Sequence, residues 1–267
     1  MKDVQKEYDP RNIHIDRVGV RNVSCPIIAL DHDNSTQRTI AKISMSVMLP
    51  REYRGTHMSR FIETLEEYRG RVSPHNLEAF TRRLCEKLNA PESSLNIEFP
   101  YYFRKKAPVS GIESFSKCDI NLQAHYSESE NENSRNSHFD MIIGLSLSVQ
   151  TLCPCSKEIS SYGAHNQRAL VSLKVRCKSL VWFEEMISMI ESSASSPLYT
   201  LLKREDEKYV TEHAYENPRF VEDVIRELAV KLDNEERVTW YRAEIESQES
   251  IHEHNAFARI ERDKSKS

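Results

Sequence analysis

Apolar and polar residues alternate at every second position through five stretches of this chain, and no other feature constrains its fold as much. Ala41, Ile43, Met45, Val47 and Leu49 alternate with polar neighbours in "TIAKISMSVMLP". Leu95, Ile97, Phe99, Tyr101 and Phe103 repeat the pattern, as do Cys118, Ile120, Leu122, Ala124 and Tyr126. Ile143, Leu145, Leu147 and Val149 follow, then Val171, Leu173, Val175 and Cys177. Successive side chains of a strand point to opposite faces, so each stretch is a strand with one buried and one wet face. That is the signature of antiparallel sheet, since parallel strands buried on both faces read as continuous apolar runs.

Between the first of these strands and the next two, the period changes. Met58, Phe61, Ile62 and Leu65 suit a helix, and so do Leu77, Phe80, Leu84 and Leu88, introduced by Ser73-Pro74 as cap and first-turn pair. With a strand near 13–30, the first half reads β-β-α-α-β-β. The second half repeats this order, with helices over Val181–Glu191 and Pro218–Leu232 and closing strands near Arg237–Glu246 and Asn255–Arg262. The polar segment "SESENENSRNSH", Ser127–His138, reads as a loop between the halves. The expected fold is α+β: two tandem ββααββ units, residues 1–130 and 131–267, each an antiparallel sheet with helices on one face, the second carrying any metal site. Such sheets leave edge strands unpaired, and association is a common way to cover them.

Composition narrows the function. The chain has 267 residues, 39% hydrophobic and 29% charged, which suits a globular protein with a substantial core. A net charge of −4 argues against a nucleic-acid binder. The start "MKDVQKEYDPRNIHIDRVGV" lacks the apolar core of a signal peptide, and no run is long enough for a membrane span, so a cytoplasmic location is expected. Only six glycines occur, and neither GxGxxG nor GxxxxGK[ST] is present. Any phosphate must then be held by side chains and ordinary amides. Of the six cysteines, Cys25, Cys85, Cys118 and Cys177 are scattered and read as buried thiols.

The other two cysteines stand in "TLCPCSKEISSYGAHNQR", Thr151–Arg168. Cys153 lies just past one strand and His165 just before the next, so a connection between antiparallel neighbours could bring both to one ion. Thiolate with imidazole is good zinc chemistry, and acceptable to iron or manganese once a carboxylate joins. A redox pair is disfavoured, because Cys-x-Cys lacks the Cys-x-x-Cys helix-start geometry. A structural zinc site would call for a second Cys pair, which is absent. The spacing alone leaves metal ligand and ordinary thiol both open.

The same stretch resembles the signature of the type IB GTP cyclohydrolases. The resemblance continues in "LPREYRGTHMSRF" (Leu49–Phe61), "YYFRKKAPVSG" (Tyr101–Gly111), "LLKREDEKYVTEHAYENPRFVEDVIR" (Leu201–Arg226) and "ESQESIHEHNAFA" (Glu246–Ala258). It implies the tunnelling fold, ββααββ in tandem, a homotetramer, and a divalent metal (zinc, manganese or iron). It implies conversion of GTP and water to 7,8-dihydroneopterin triphosphate and formate, the first step of folate biosynthesis. Carried over residue by residue, Cys153, His165 and Glu207 hold the metal, leaving a position for a water whose pKa the ion lowers. Cys155 and His252 serve acid–base steps, with Glu249 nearby. Glu222 anchors the purine, since a carboxylate accepts guanine N1–H and N2–H together. Arg60 and Lys105 are the expected triphosphate contacts, chosen from clusters that include His57, Ser59, Arg104, Lys106, Lys157 and Arg168. Without the resemblance, Glu207 is one charge of a solvated run, Glu222 an exposed helix carboxylate and His252 a surface histidine. Two alternatives stay open: an archaeal-type cyclohydrolase giving a cyclic-phosphate pterin, and a metal-stabilised oligomeric binding module without turnover.

Overall fold

The computed structural model describes residues 5, 7–30, 36–68, 73–131 and 134–266. Two compact units divide them: one holds the described residues of Met1–Leu30, Asn34–Pro100 and Ile120–Ile143, the other those of Tyr101–Asp119 and Gly144–Ser267. Each unit is antiparallel sheet with helices.

The first unit begins with a long antiparallel pair, β1 (Ile15–Leu30) and β2 (Thr36–Leu49), in the register Cys25↔Ala41 and Gly19↔Ser46. Gly19 is required there, because a Cβ would lie 2.0 Å from the Met45 carbonyl oxygen. The alternation read in β2 is realised: Ala41, Ile43, Met45, Val47 and Leu49 are all buried. Helices α1 (Met58–Glu67) and α2 (Leu77–Leu88) pack on each other, burying Phe61 and Leu65 with Leu77, Phe80 and Leu84. Removing such side chains from water stabilises by roughly 2 kcal/mol apiece. A 3-10 turn over Pro74–Asn76 precedes α2, its entry fixed by the Ser73 N–H donating to Asn76 Oδ1 at 3.0 Å. The helix ends on Asn89 at φ 51°, the left-handed position at which asparagine is tolerated, and Ala90 N–H closes on Cys85 O. Strand β3 (Glu92–Lys106) then pairs with β2 through Met45↔Leu95 and Ile43↔Ile97, and β4 (Glu113–Asn131) is its next neighbour.

The second unit uses parts of β3, β4 and β5 (Ser134–Leu152) together with α3 (Pro154–Ile159), β6 (Asn166–Cys177), α4 (Phe183–Glu191), β7 (Ser196–Pro197), α5 (Arg204–Glu216), α6 (Val221–Asn234), β8 (Val238–Ser247) and β9 (Ala256–Asp263). β6 pairs β8 and β8 pairs β9, all antiparallel. Val224, Ile225, Leu228 and Leu232 line the apolar stripe that α6 lays on β8 and β9. Three helices open with the same device, an acidic residue in the first turn accepting the N–H three positions back: Glu185 from Trp182, Asp206 from Lys203, and Asp223 from Phe220.

The two-fold ββααββ order is present, with additions the period did not announce. Ser127–His138 is not a loop: β4 runs through Asn131 and β5 starts at Ser134, the intervening pair lying outside the described residues. Ladder hydrogen bonds satisfy a strand's backbone whether or not its side chains are apolar. The charge run of "KREDEKY" is helix α5, which buries only Asp206 and Ala214 and so shows no apolar stripe. Among the described residues no helix is long and apolar enough to cross a membrane.

Candidate functional site

Cys153 directly follows β5 and caps α3. Its sulfur accepts the Ser156 N–H at 3.4 Å, and Pro154 takes the first helical position, where no N–H is needed. Cys153 N–H donates to His165 O at 3.1 Å, so the loop closes on itself. Ser156 is the hub: its hydroxyl donates to Cys153 O and accepts from His165 N–H, each at 3.1 Å. These bonds hold Cys153 and His165 at the two feet of one loop, both half-buried, while Cys155 points outward and is exposed.

The His165 ring is braced in turn. Its Nδ1 lies 2.9 Å from Gln167 Oε1, and the Gln167 amide nitrogen donates to the buried Thr151 hydroxyl at 3.2 Å. Lys157 reaches the end of α5, donating to Tyr215 O at 2.6 Å with its ammonium over the Tyr215 ring. Arg219 N–H donates to Leu152 O at 3.0 Å, which sets the start of α6, and with it Glu222, beside the strand end that carries Cys153. Gln248 N–H donates to Arg168 O at 2.9 Å, so the loop after β8 begins at the same end of β6 as His165. That loop holds half-buried Glu249 and exposed His252, whose ring stacks on His254 with centroids 5.2 Å apart. Glu222 itself is exposed in the first turn of α6.

Glu207 is carried by a different helix. It is exposed in the first turn of α5, and among the described residues no three His, Cys, Asp or Glu side chains converge closely enough to hold an ion. Its neighbour Asp206 is fully buried and accepts from Val109 N–H, Ser110 N–H, Ser110 Oγ–H and Lys203 N–H at 2.6–2.9 Å. Burial alone would raise its pKa, but the Ser110 and backbone hydrogen bonds outweigh that and hold it well below the usual carboxylate range. The donor set at the feet of the loop, one thiolate and one imidazole, still suits a borderline divalent ion.

The expected triphosphate contacts already have protein partners. Lys105 is ion-paired with Glu191 and donates to Leu198 O at 2.8 Å, with Tyr199 beneath the ammonium. Burial lowers the Lys105 pKa and raises that of Glu191, each opposed by the other's charge. Arg60, in the first unit, donates to Lys87 O near the end of α2 at 3.0 Å. Burial pushes the Cys85 and Cys177 thiols up to about 11 and Cys118 higher still, which keeps them protonated and inert.

Sequence reasoning missed Ser156, Gln167, Thr151 and Asp206. Only Ser156 left a local trace, a hydroxyl three residues after the capping position.

Comparison with known proteins fits this arrangement. The family described as Type I GTP cyclohydrolase folE2 matches residues 1–258. A protein named GTP cyclohydrolase FolE2 from Geotalea uraniireducens is 50% identical over 264 residues, 99% of this chain and 94% of that one. Its namesake from Pseudothermotoga lettingae is 51% identical over 99% of both chains. Among solved structures, urate oxidase from Bacillus sp. TB-90 superposes with a TM-score of 0.57 over 93% of this chain and all of that one, at 11% identity. At that identity the likeness is one of fold alone. The motifs located the right family, and its name is corrected to the one these matches carry, GTP cyclohydrolase FolE2. The chain belongs to the Type I GTP cyclohydrolase folE2 family.

Proposed function

We propose that this chain converts GTP and water to 7,8-dihydroneopterin triphosphate and formate, opening folate biosynthesis. The carrying observation is the cinched loop that sets Cys153 and His165 at its two feet, in a chain about half identical to proteins named GTP cyclohydrolase FolE2.

Cys153 and His165 would hold a divalent ion, zinc, manganese or iron, with Glu207 as third ligand. The ion supplies Lewis acidity toward water. Glu222 binds the purine: its two oxygens accept N1–H and the exocyclic amino N–H, and adenine, lacking that donor pair, would leave the carboxylate unsatisfied. His252, Cys155 and Glu249 move protons as the imidazole ring of the base opens and formate leaves; an imidazole both donates and accepts, which suits a reaction with several transfers. For the triphosphate, Arg60 keeps guanidinium N–H groups beyond the one on Lys87 O, and Lys105 keeps a third N–H beyond those on Glu191 and Leu198 O. Residues 1–130 and 131–267 are the two repeats, and the second carries the chemistry. A homotetramer in a reducing cytoplasm suits the open sheet edges and the six free cysteines.

Glu222→Gln tests the purine contact. Replacing a charged acceptor by an amide that presents one donor to a donor pair should weaken GTP binding about 10- to 100-fold, with divalent-metal binding unchanged. Unaltered GTP affinity would remove Glu222 from the binding role.

A further inference from the structure

We infer that Gln167 is a positioning residue: its side-chain oxygen holds the proton on Nδ1 of His165, leaving the Nε2 lone pair as the one this imidazole offers to an ion. The inference rests on His165 being a ligand of the site proposed above.

A neutral imidazole carries one ring proton and one ring lone pair, and the nitrogen that bears the proton cannot bind a metal. Gln167 Oε1 stands 2.9 Å from His165 Nδ1, and an amide oxygen can only accept, so in this arrangement Nδ1 is the donor. The amide is oriented by its other end, which donates to Thr151 Oγ1 at 3.2 Å. Thr151 is 1% exposed and lies on β5, while Gln167 lies on β6. The brace therefore ties the ring to two strands, and the more exposed loop between them is left out of it. A ligand held by rigid elements keeps its geometry better than one held by a loop.

The chemistry also explains an amide at this place. A carboxylate would hold the Nδ1 proton equally well and is a common partner of metal-bound histidine. A neutral acceptor fixes the ring without adding charge.

Turning the amide over, so that its nitrogen faces His165 and its oxygen faces Thr151, reverses the relay: the Thr151 hydroxyl then donates to the amide oxygen and the amide N–H donates to Nδ1. That arrangement would put the imidazole proton on Nε2 and withdraw the lone pair from the ion. The two senses are separable by experiment.

The full chain, labelled with 15N-histidine and freed of metal by chelator, would be examined by long-range proton–nitrogen correlation at mildly alkaline pH, with His165 assigned from the spectrum of His165→Ala. The expected result is the Nδ1–H form for His165 in the wild-type protein and a mixed population in Gln167→Ala. Zinc affinity, measured by chelator competition, should fall about 10- to 100-fold in Gln167→Ala, the usual effect of losing such a support. Gln167→Glu, which keeps the acceptor, should restore the Nδ1–H form and most of the affinity. Nε2–H in the wild-type protein, or wild-type zinc affinity in Gln167→Ala, would overturn the inference. Should Gln167→Ala not fold, Thr151→Val and the wild-type tautomer decide alone. A Cys153→Ala variant that still binds zinc normally would instead sink the metal site, a separate outcome from either tautomer.

Discussion

Lys105 shows how a residue expected at a substrate can also be part of the fold. Its side chain is only 10% exposed and its ammonium faces the Glu191 side chain, at 16%, so removing it leaves a carboxylate in a poorly hydrated place. Lys105→Met should lower stability by about 3 kcal/mol, seen as a reduced midpoint in urea. Lys105→Met with Glu191→Gln should recover most of that loss. If Lys105 also meets the triphosphate, the double variant will fold well yet keep a raised KM for GTP; a normal KM would confine Lys105 to a structural role. Legibility in the sequence divides along the same line. Residue type and a place at two strand ends made Cys153 and His165 candidates, with an ordinary thiol left open. Glu207, Glu222 and His252 could be named only through the resemblance, because exposed carboxylates and histidines are common on any surface. Gln167 was invisible and Ser156 left only a faint trace, since an amide or hydroxyl gains its role from what lies across a loop or an adjacent strand.

The strands and amphipathic helices were readable because one face of each is buried, and burial writes a period into the sequence. Helix α5 had no such period. What fixes its start is a single buried carboxylate, Asp206, gripping Lys203, Val109 and Ser110. Asp206→Ala should lower the melting temperature and speed amide exchange at Val109, Ser110 and Lys203. With Glu207 as third ligand, it should also weaken zinc binding on the order of 10-fold, the size expected when support for a ligand is lost. Full zinc affinity in a folded Asp206→Ala would argue against Glu207. A second inter-element clamp joins the entry of α4 to the turn before β8: Arg237 pairs with Glu185 at 2.7 Å and Glu235 at 2.8 Å. Arg237 holds the Glu235 carboxyl down to about 2 from an ordinary 4.5, and lowers Glu185 too. A depressed carboxylate contributes stability above its ordinary pKa and loses it as pH falls through the lowered one. The stability gap between wild type and Arg237→Met, about 1 kcal/mol near neutrality for so exposed a group, should therefore shrink as pH drops below 4.5 toward 2. A gap that ignores pH would mean the clamp is held by something other than charge.

At the scale of the whole chain, the ββααββ order, the antiparallel sheet and the placement of helices followed from alternation and period. Their superposition on urate oxidase at 11% identity shows how little side-chain identity that architecture needs. The chemistry is a different matter, because a shared fold leaves it open. What bears on it in this chain is about 50% identity to proteins named GTP cyclohydrolase FolE2, to which the proposal adds the groups at one end of β5, β6 and β8. The central claim is that this end of the second unit opens the purine and releases its C8 carbon. Incubation of the intact protein with GTP carrying 13C at C8 and with Mn²⁺ or Zn²⁺ tests it most directly. The account predicts one labelled formate for each 7,8-dihydroneopterin triphosphate formed, the pterin retaining its full triphosphate. Unchanged GTP with every divalent ion tried, or a cyclic-phosphate pterin as product, would contradict it.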